Sequence, residues 1–292
     1  DAMVWLLRVM HGVFRDWGLA IIGLVVVVRL LMHPLTRKST ISMHRMGKLA
    51  PEMERLKKKY ADDQQELNRA MMQAAKEAGI KVMMLTVDSI TGGNRERDLR
   101  TGFSIPFRLT LNGLLQFAIK PMWGINYVTH EKFSLPQLDA HIDMKGDSLT
   151  IGRYFTEMLD PSLNWKDVEA MVAEWGGEFC LKGIMSKGDA EQAAAIGCTG
   201  IVLSNHGGRQ LDGACSGFDQ LKTVVQAVGD RIDVMMDGGV QRGSHVLKAL
   251  ALGAKAVGLG RYYLFPLAAA GQAGVERALA QMKAELTRDM RL

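Results

Sequence analysis

The stretch Ser204-Asn205-His206-Gly207-Gly208-Arg209-Gln210-Leu211-Asp212 puts an imidazole and a guanidinium on one glycine turn, directly after the apolar run Thr199 to Leu203. A strand that ends in such a turn presents both groups to the same small volume, an arrangement for pulling a proton from an anion. Lys182 lies at another apolar strand end, Glu-Phe-Cys-Leu-Lys-Gly-Ile, where an uncompensated ammonium would be costly, so a partner anion is expected. That anion is either a carboxylate in a salt bridge or a bound anionic cofactor. Asp88 closes Leu85-Thr86-Val87-Asp88 and could orient an imidazole or cap a helix. Arg95, in Gly-Gly-Asn-Arg-Glu-Arg-Asp, could supply a second guanidinium or a surface ion pair. The turns Asp237-Gly238-Gly239-Val240 and Leu259-Gly260-Arg261 follow the last two strand-like runs, where backbone amides and a helix N-terminus can hold a phosphate.

These groups need a scaffold that gathers strand ends. Strand-like runs are expected at Val82 to Val87, Glu178 to Lys182, Gly200 to Leu203, Ile232 to Met236 and Ala256 to Leu259. Helical patterns fall between the later runs, at Asp189 to Ile196, Phe218 to Val228 and Ser244 to Leu252. Such alternation means an α/β fold with a parallel sheet covered by helices. Asp88, Lys182, His206, Asp237 and Gly260-Arg261 all come at or just after a strand's carboxyl end, the rule for a (β/α)8 TIM barrel. Five strands are readable and a closed barrel needs eight, so a partial barrel is expected. Residues 103 to 165 read as one long irregular excursion, a lid or docking insertion.

The rest of the chain differs in character. Its net charge of +5 is carried by residues 1 to 72, which hold 12 Lys/Arg against 7 Asp/Glu. Cys180, Cys198 and Cys215 lack disulfide or metal-site spacing and read as reduced thiols, so no metal is expected. Residues 17 to 35 would span about 28 Å as a helix, close to a bilayer core, and read as one transmembrane helix. The flank Arg37, Lys38, Arg45, Lys48 then puts the following segment in the cytoplasm, and no cleavable signal peptide is evident. Arg29 inside the span either faces a water-filled groove or snorkels to the membrane surface. A charged helical hairpin follows over 37 to 72, with Pro51 and the pair Asp62-Asp63 as helix starts. Trp17 through Arg29, Pro34-Leu35-Thr36 and Ser42-Met43 resemble the start of the YidC/Oxa1/Alb3 membrane insertases. The resemblance implies a groove position for Arg29, although further spans of that family are missing.

Residues 73 to 292 resemble the FMN-dependent 2-hydroxy acid oxidases and dehydrogenases, the group containing glycolate oxidase, L-lactate dehydrogenase and mandelate dehydrogenase. The motifs are Leu85-Thr86-Val87-Asp88, Asn94-Arg95-Glu96-Arg97-Asp98, Leu181-Lys182-Gly183-Ile184, the His206 turn, Asp237-Gly238-Gly239, and Lys248 to Ala254 leading to Gly260-Arg261. The resemblance implies that His206 is the base, with Asp88 orienting it. Arg209 and Arg95 would grip the substrate carboxylate. Lys182 would stabilise negative charge on the reduced flavin of FMN, Thr86 would contact its ring, and Asp237 would lie by the ribityl chain. Gly238 belongs to the glycine turn in which Gly239, with Gly260 and Arg261, would bind the phosphate. The expected reaction is oxidation of an L-2-hydroxy acid to the 2-oxo acid, with a quinone or oxygen as electron acceptor. Gln241-Arg242 stands where many members have two arginines, and the first three barrel strands are missing. The chain therefore looks chimeric near residue 72: a membrane segment (1–36), a cytoplasmic hairpin (37–72) and a barrel portion (73–292). It would sit at a bacterial-type inner membrane with the barrel cytoplasmic. No nucleic-acid partner is expected, and a homo-oligomer is one way to close the barrel. The alternative function is an insertase fragment with a catalytically empty barrel portion.

Overall fold

The computed structural model describes residues 8–12, 14–20, 22–23, 51–53, 55–56, 59–60, 63–93, 95–102, 110–129 and 159–292. The chain divides into two compact units, Asp1–Lys81 and Val82–Leu292. In the first, helix α1 (Gln64–Glu77) starts where the sequence expects, with the Asp63 carboxylate accepting from the Glu66 amide at 3.0 Å. It runs unbroken through residue 72. Of the expected span 17–35, only 17–20, 22 and 23 are described, and Arg29 lies outside the described residues. Among the described residues no helix is long and apolar enough to cross a membrane, so the transmembrane helix has no support here.

The second unit is built on five parallel strands in sequential order: β1 (Val82–Thr86), β2 (Glu178–Ile184), β3 (Gly200–Leu203), β4 (Asp233–Asp237) and β5 (Ala256–Gly258). Between them lie helices α2 (Glu96–Thr101), α3 (Leu111–Ala118), α4 (Pro121–Thr129), α5 (Trp165–Trp175), α6 (Lys187–Ala195), α7 (Gly217–Val228) and α8 (Gly243–Ala251); α9 (Arg261–Asp289) closes the chain. Parallel connections are right-handed almost without exception, so a sequential strand order with helices in the connections is the winding of a barrel rather than of a doubly wound sheet. The excursion 103–165 is not irregular throughout, because its described part forms α3 and α4; residues 103–109 and 130–158 lie outside the described residues.

Burial follows position in the sheet. All four residues of central β3 are buried, whereas β1 and β5, the edges among the described residues, are half-buried to exposed. Leu181, Ile201, Leu203 and Val234 of the strands and Leu221, Val224 and Val228 of α7 are all buried and make up the core. Helix starts are fixed by local polar groups. Asn164 with Asp167 and Ser216 with Asp219 form capping boxes at α5 and α7, and Ser186 caps α6.

Candidate active site

Strand register brings the chemistry to one end of the sheet. Thr86 pairs with Lys182, Lys182 with Val202, and Val202 with Met235. The two-residue period then puts Ser204 and Asp237 on the face that carries Lys182. Lys182 Nζ lies 3.1 Å from Asp237 Oδ2 and donates to Ser204 Oγ at 3.0 Å. The anion expected beside Lys182 is thus a carboxylate of the chain itself. Ser204, wholly buried, also accepts from the His206 amide at 3.2 Å. It joins the cation to the turn that carries the imidazole.

That turn is held in an uncommon shape. His206 has φ +56° and Gly207 φ +66°, while Asn205 caps the Gly208 amide at 3.1 Å and donates to the Cys215 carbonyl. For a histidine the left-handed region is rare, and the Ser204 and Asn205 bonds over-determine it. Asp88 Oδ1 lies 3.3 Å from His206 Nδ1, with Ser89 Oγ 3.3 Å from the same carboxylate oxygen and 3.5 Å from the ring nitrogen. Asp88 therefore stands where it can orient the imidazole, and it caps no helix among the described residues. A carboxylate on Nδ1 holds that nitrogen's proton and leaves Nε2 as the basic atom. The other Asp88 oxygen, Oδ2, is buried without a partner among the described residues.

Asp88 comes from β1 and His206 from β3, so the carboxylate must pass over the end of β2. Gly183 makes that crossing possible. Its φ is +105°, the register slips between Lys182 and Ile184, and a Cβ at this position would lie 2.6 Å from Asp88 Cβ. Gly93 plays a similar part further along, since its Cβ would fall 2.0 Å from the Arg209 carbonyl oxygen. Arg95 follows two residues later, within about 7 Å of Gly93 along the chain. Arg95 is exposed and Arg209 half-buried, and neither makes an ion pair among the described residues. Two guanidiniums without ion-pair partners among the described residues, carried by backbone segments that meet at Gly93 and Arg209, are of the type that suits a carboxylate.

The glycine turns at the ends of β4 and β5 differ in availability. Gly238 and Gly239 have φ of +89° and +71°, and around Gly239 and Gly260 the place of a Cβ is open. Helix α9 begins at Arg261, behind Gly260, with no side-chain cap among the described residues, which leaves its first amides open to an anion. The start of α8 is already taken: Glu285 accepts from the Gly243 amide at 2.9 Å and from Arg242 Nη1 at 3.2 Å. Arg261 turns back to donate to the Gly207 carbonyl at 2.6 Å. An open glycine cradle, an uncapped helix start with an arginine, and a lysine held nearby fit the phosphate of a mononucleotide. Thr86 stands exposed beside Lys182 in register.

The unit therefore brings Asp88, Lys182, His206, Asp237 and Arg261 into direct or shared contacts. Sequence reasoning gave no role to Ser204, Ser89, Gly183, Gly93 or Gln210. Gly183 carried a signal, a glycine inside a strand, which marks a bulge or a close backbone approach.

Comparison with known proteins gives one family description, FMN-dependent dehydrogenase, matching residues 31–292. The chain is 37% identical over 226 residues to (S)-mandelate dehydrogenase of Pseudomonas putida, covering 77% of this chain and 56% of that protein. It is 36% identical over 264 residues to an L-lactate oxidase of Nostoc sp., covering 90% and 67%. A crystal structure described as the monotopic membrane protein (S)-mandelate dehydrogenase superposes with TM-score 0.68 at 35% identity, covering 76% of this chain and 59% of that one. The chain thus spans roughly half to two thirds of the length of such relatives. Because the family match starts at residue 31, it takes in most of the segment that resembles an insertase. The insertase reading and the chimera gain no support. An apolar run followed by cations is a pattern of low information, shared by membrane spans and buried core elements.

Proposed function

The chain belongs to the FMN-dependent dehydrogenase family, and on that premise we propose that it oxidises an L-2-hydroxy acid of the lactate or mandelate type to the 2-oxo acid. The observation that carries this reading is the Asp88–His206 pair at 3.3 Å, on a turn that also bears Arg209. Residues 73–292 form the catalytic part in this proposal, with 103–165 as its lid or docking insertion.

The reaction removes two electrons and two protons from the substrate. FMN, when bound, would supply the acceptor for the electron pair and one of the protons, leaving the other to a base of the chain. Arg209 and Arg95 hold the substrate carboxylate and thereby set which hydrogen faces Nε2 of His206. His206 takes a proton through that atom, and Asp88 stabilises the imidazolium that results. Thr86 and Lys182 would meet the flavin ring, with the ammonium beside the position where negative charge develops. Asp237 would lie on the ribityl side, and the Gly238–Gly239 turn, Gly260 and Arg261 would take the phosphate. The test is to load the chain with FMN, remove the excess by gel filtration and add L-lactate or L-mandelate without oxygen. Retained flavin that bleaches supports the reading; retained flavin that stays oxidised with a panel of 2-hydroxy acids overturns it.

A membrane surface is the proposed location, with a quinone as acceptor and oxygen as the alternative. Residues 111–129 hold one lysine and no acidic residue, and Leu111, Leu115, Met122 and Val128 are 60–80% exposed. Trp123 and Tyr127 stack at 5.3 Å beside them, the residue types that favour a membrane interface. The alternative, that covering protein rather than lipid meets these helices, predicts no flotation of the chain with vesicles.

A further inference from the structure

We propose that Gln210 is a positioning residue that docks the β1 loop onto the β3 turn and so sets the geometry of both the base pair and the two arginines. The inference rests on the 2-hydroxy acid reading for its kinetic consequence, and on the geometry alone for the docking. Gln210 is half-buried, and its Nε2 donates to the Asp88 carbonyl at 3.3 Å and to the Thr91 carbonyl at 3.2 Å. These bonds join segments 119 to 122 residues apart in sequence. They also join loops from β1 and β3, which are not neighbours in the sheet.

The strand ladder cannot fix this relation, because β2 separates the two and its end is bulged at Gly183. What remains among the described residues is the Asp88–His206 contact itself, the Ser89 hydroxyl 3.5 Å from the same ring nitrogen, the close approach of Gly93 to Arg209, and the Gln210 fork. Of these, only the fork is a pair of neutral hydrogen bonds from one side chain to two points of the incoming loop. One acceptor belongs to the residue that carries the carboxylate. The other lies two residues before Gly93, whose missing side chain lets the backbone seat on Arg209, with Gln210 Oε1 closing over the same glycine. Losing the fork frees the β1 loop at both points. Asp88 then moves relative to His206, and Arg95 relative to Arg209.

Substitution Gln210→Met keeps the side-chain volume and removes both donors. In the flavin-loaded full chain the expected result is a fall of about 10²-fold in kcat/KM for L-lactate or L-mandelate, shared between a lower kcat and a higher KM, because a displacement of about 1 Å at a reacting group costs that much. A purely structural role would lower thermal stability and leave both constants of the folded, flavin-bound enzyme alone. Amide hydrogen exchange gives the readout that does not depend on turnover: residues 88–93 should exchange faster in Gln210→Met, with β3 and α7 unchanged. Should the wild-type chain reduce no flavin with any 2-hydroxy acid, the functional reading fails and exchange alone decides the docking. Unchanged exchange over 88–93, or constants within twofold of wild type, would overturn the proposal.

Discussion

Removing the Asp88 carboxylate would leave the His206 ring free to turn and to move its proton to the other nitrogen, since 3.3 Å to Oδ1 is the contact that fixes it. Asp88→Asn is expected to lower kcat/KM by about 10²-fold or more, with a smaller change in KM. Arg209 works through two parallel donors, so Arg209→Lys should raise KM for a 2-hydroxy acid by roughly 10- to 100-fold while bound flavin is retained. Steady-state kinetics on flavin-loaded variants checks both. The thiols give a separate expectation. Burial pushes Cys180 and Cys198 up to about 11, with the Cys198 thiol and Asp233 adding to the rise at Cys180. Alkylation at pH 8 followed by peptide mapping should therefore label exposed Cys215 first and leave the other two largely unmodified in the folded chain. Residue type and strand-end position singled out His206 and Asp88 as a candidate pair, and the structure places them 3.3 Å apart. Ser204 and Gln210 were not singled out, although they stand in the same turn as His206. Their partners, Lys182 and the carbonyls of Asp88 and Thr91, lie far away in sequence, and nothing local records such contacts.

Gly183 carries a consequence for the strand ends. Gly183→Ala would put a Cβ against Asp88 at a φ of +105°, a conformation that costs about 1–3 kcal/mol for a residue other than glycine. Chemical denaturation should show that loss, and the variant should also lose turnover, because the carboxylate can no longer cross β2. At the other side of the site α9 caps α8 through Glu285. The Gly243 amide first, then the Gln281 carboxamide and Arg242, hold the Glu285 carboxyl below its ordinary value of 4.5. A lowered folded value means that the stabilisation is present above the unfolded value and is lost as pH falls through the folded one. Glu285→Gln should therefore be less stable than wild type near neutrality, and the two stability curves should converge below about pH 4.5. The run Gly200 to Leu203 was readable as a strand because it is a continuous apolar segment, and β3 has those bounds. The bulge after Lys182 and the capture of the α8 start by a residue of α9 were not readable, since both depend on packing between distant segments.

In the second unit, five parallel strands in sequential order agree with a barrel-type winding, and the solved (S)-mandelate dehydrogenase superposes over 76% of this chain. The exposed edges agree with five strands of such a sheet. The insertase reading of the amino-terminal segment gains no support, since hydropathy and flanking charge specify an environment rather than a fold, and the family match takes in the chain from residue 31. If α3 and α4 rest on lipid, Leu111→Glu with Met122→Glu should abolish flotation with vesicles and leave flavin reduction unchanged; flotation equal to wild type would exclude this face. The central claim is that His206, oriented by Asp88 across Gly183, is the base for 2-hydroxy acid oxidation. It is tested most directly by the rate at which anaerobic L-mandelate or L-lactate bleaches the flavin of the FMN-loaded wild-type chain and of His206→Gln, side by side. The account predicts bleaching in the wild type and a rate about 10² to 10⁴ times lower in the variant with its flavin still bound. Equal rates, or a wild-type flavin that stays oxidised, would contradict it.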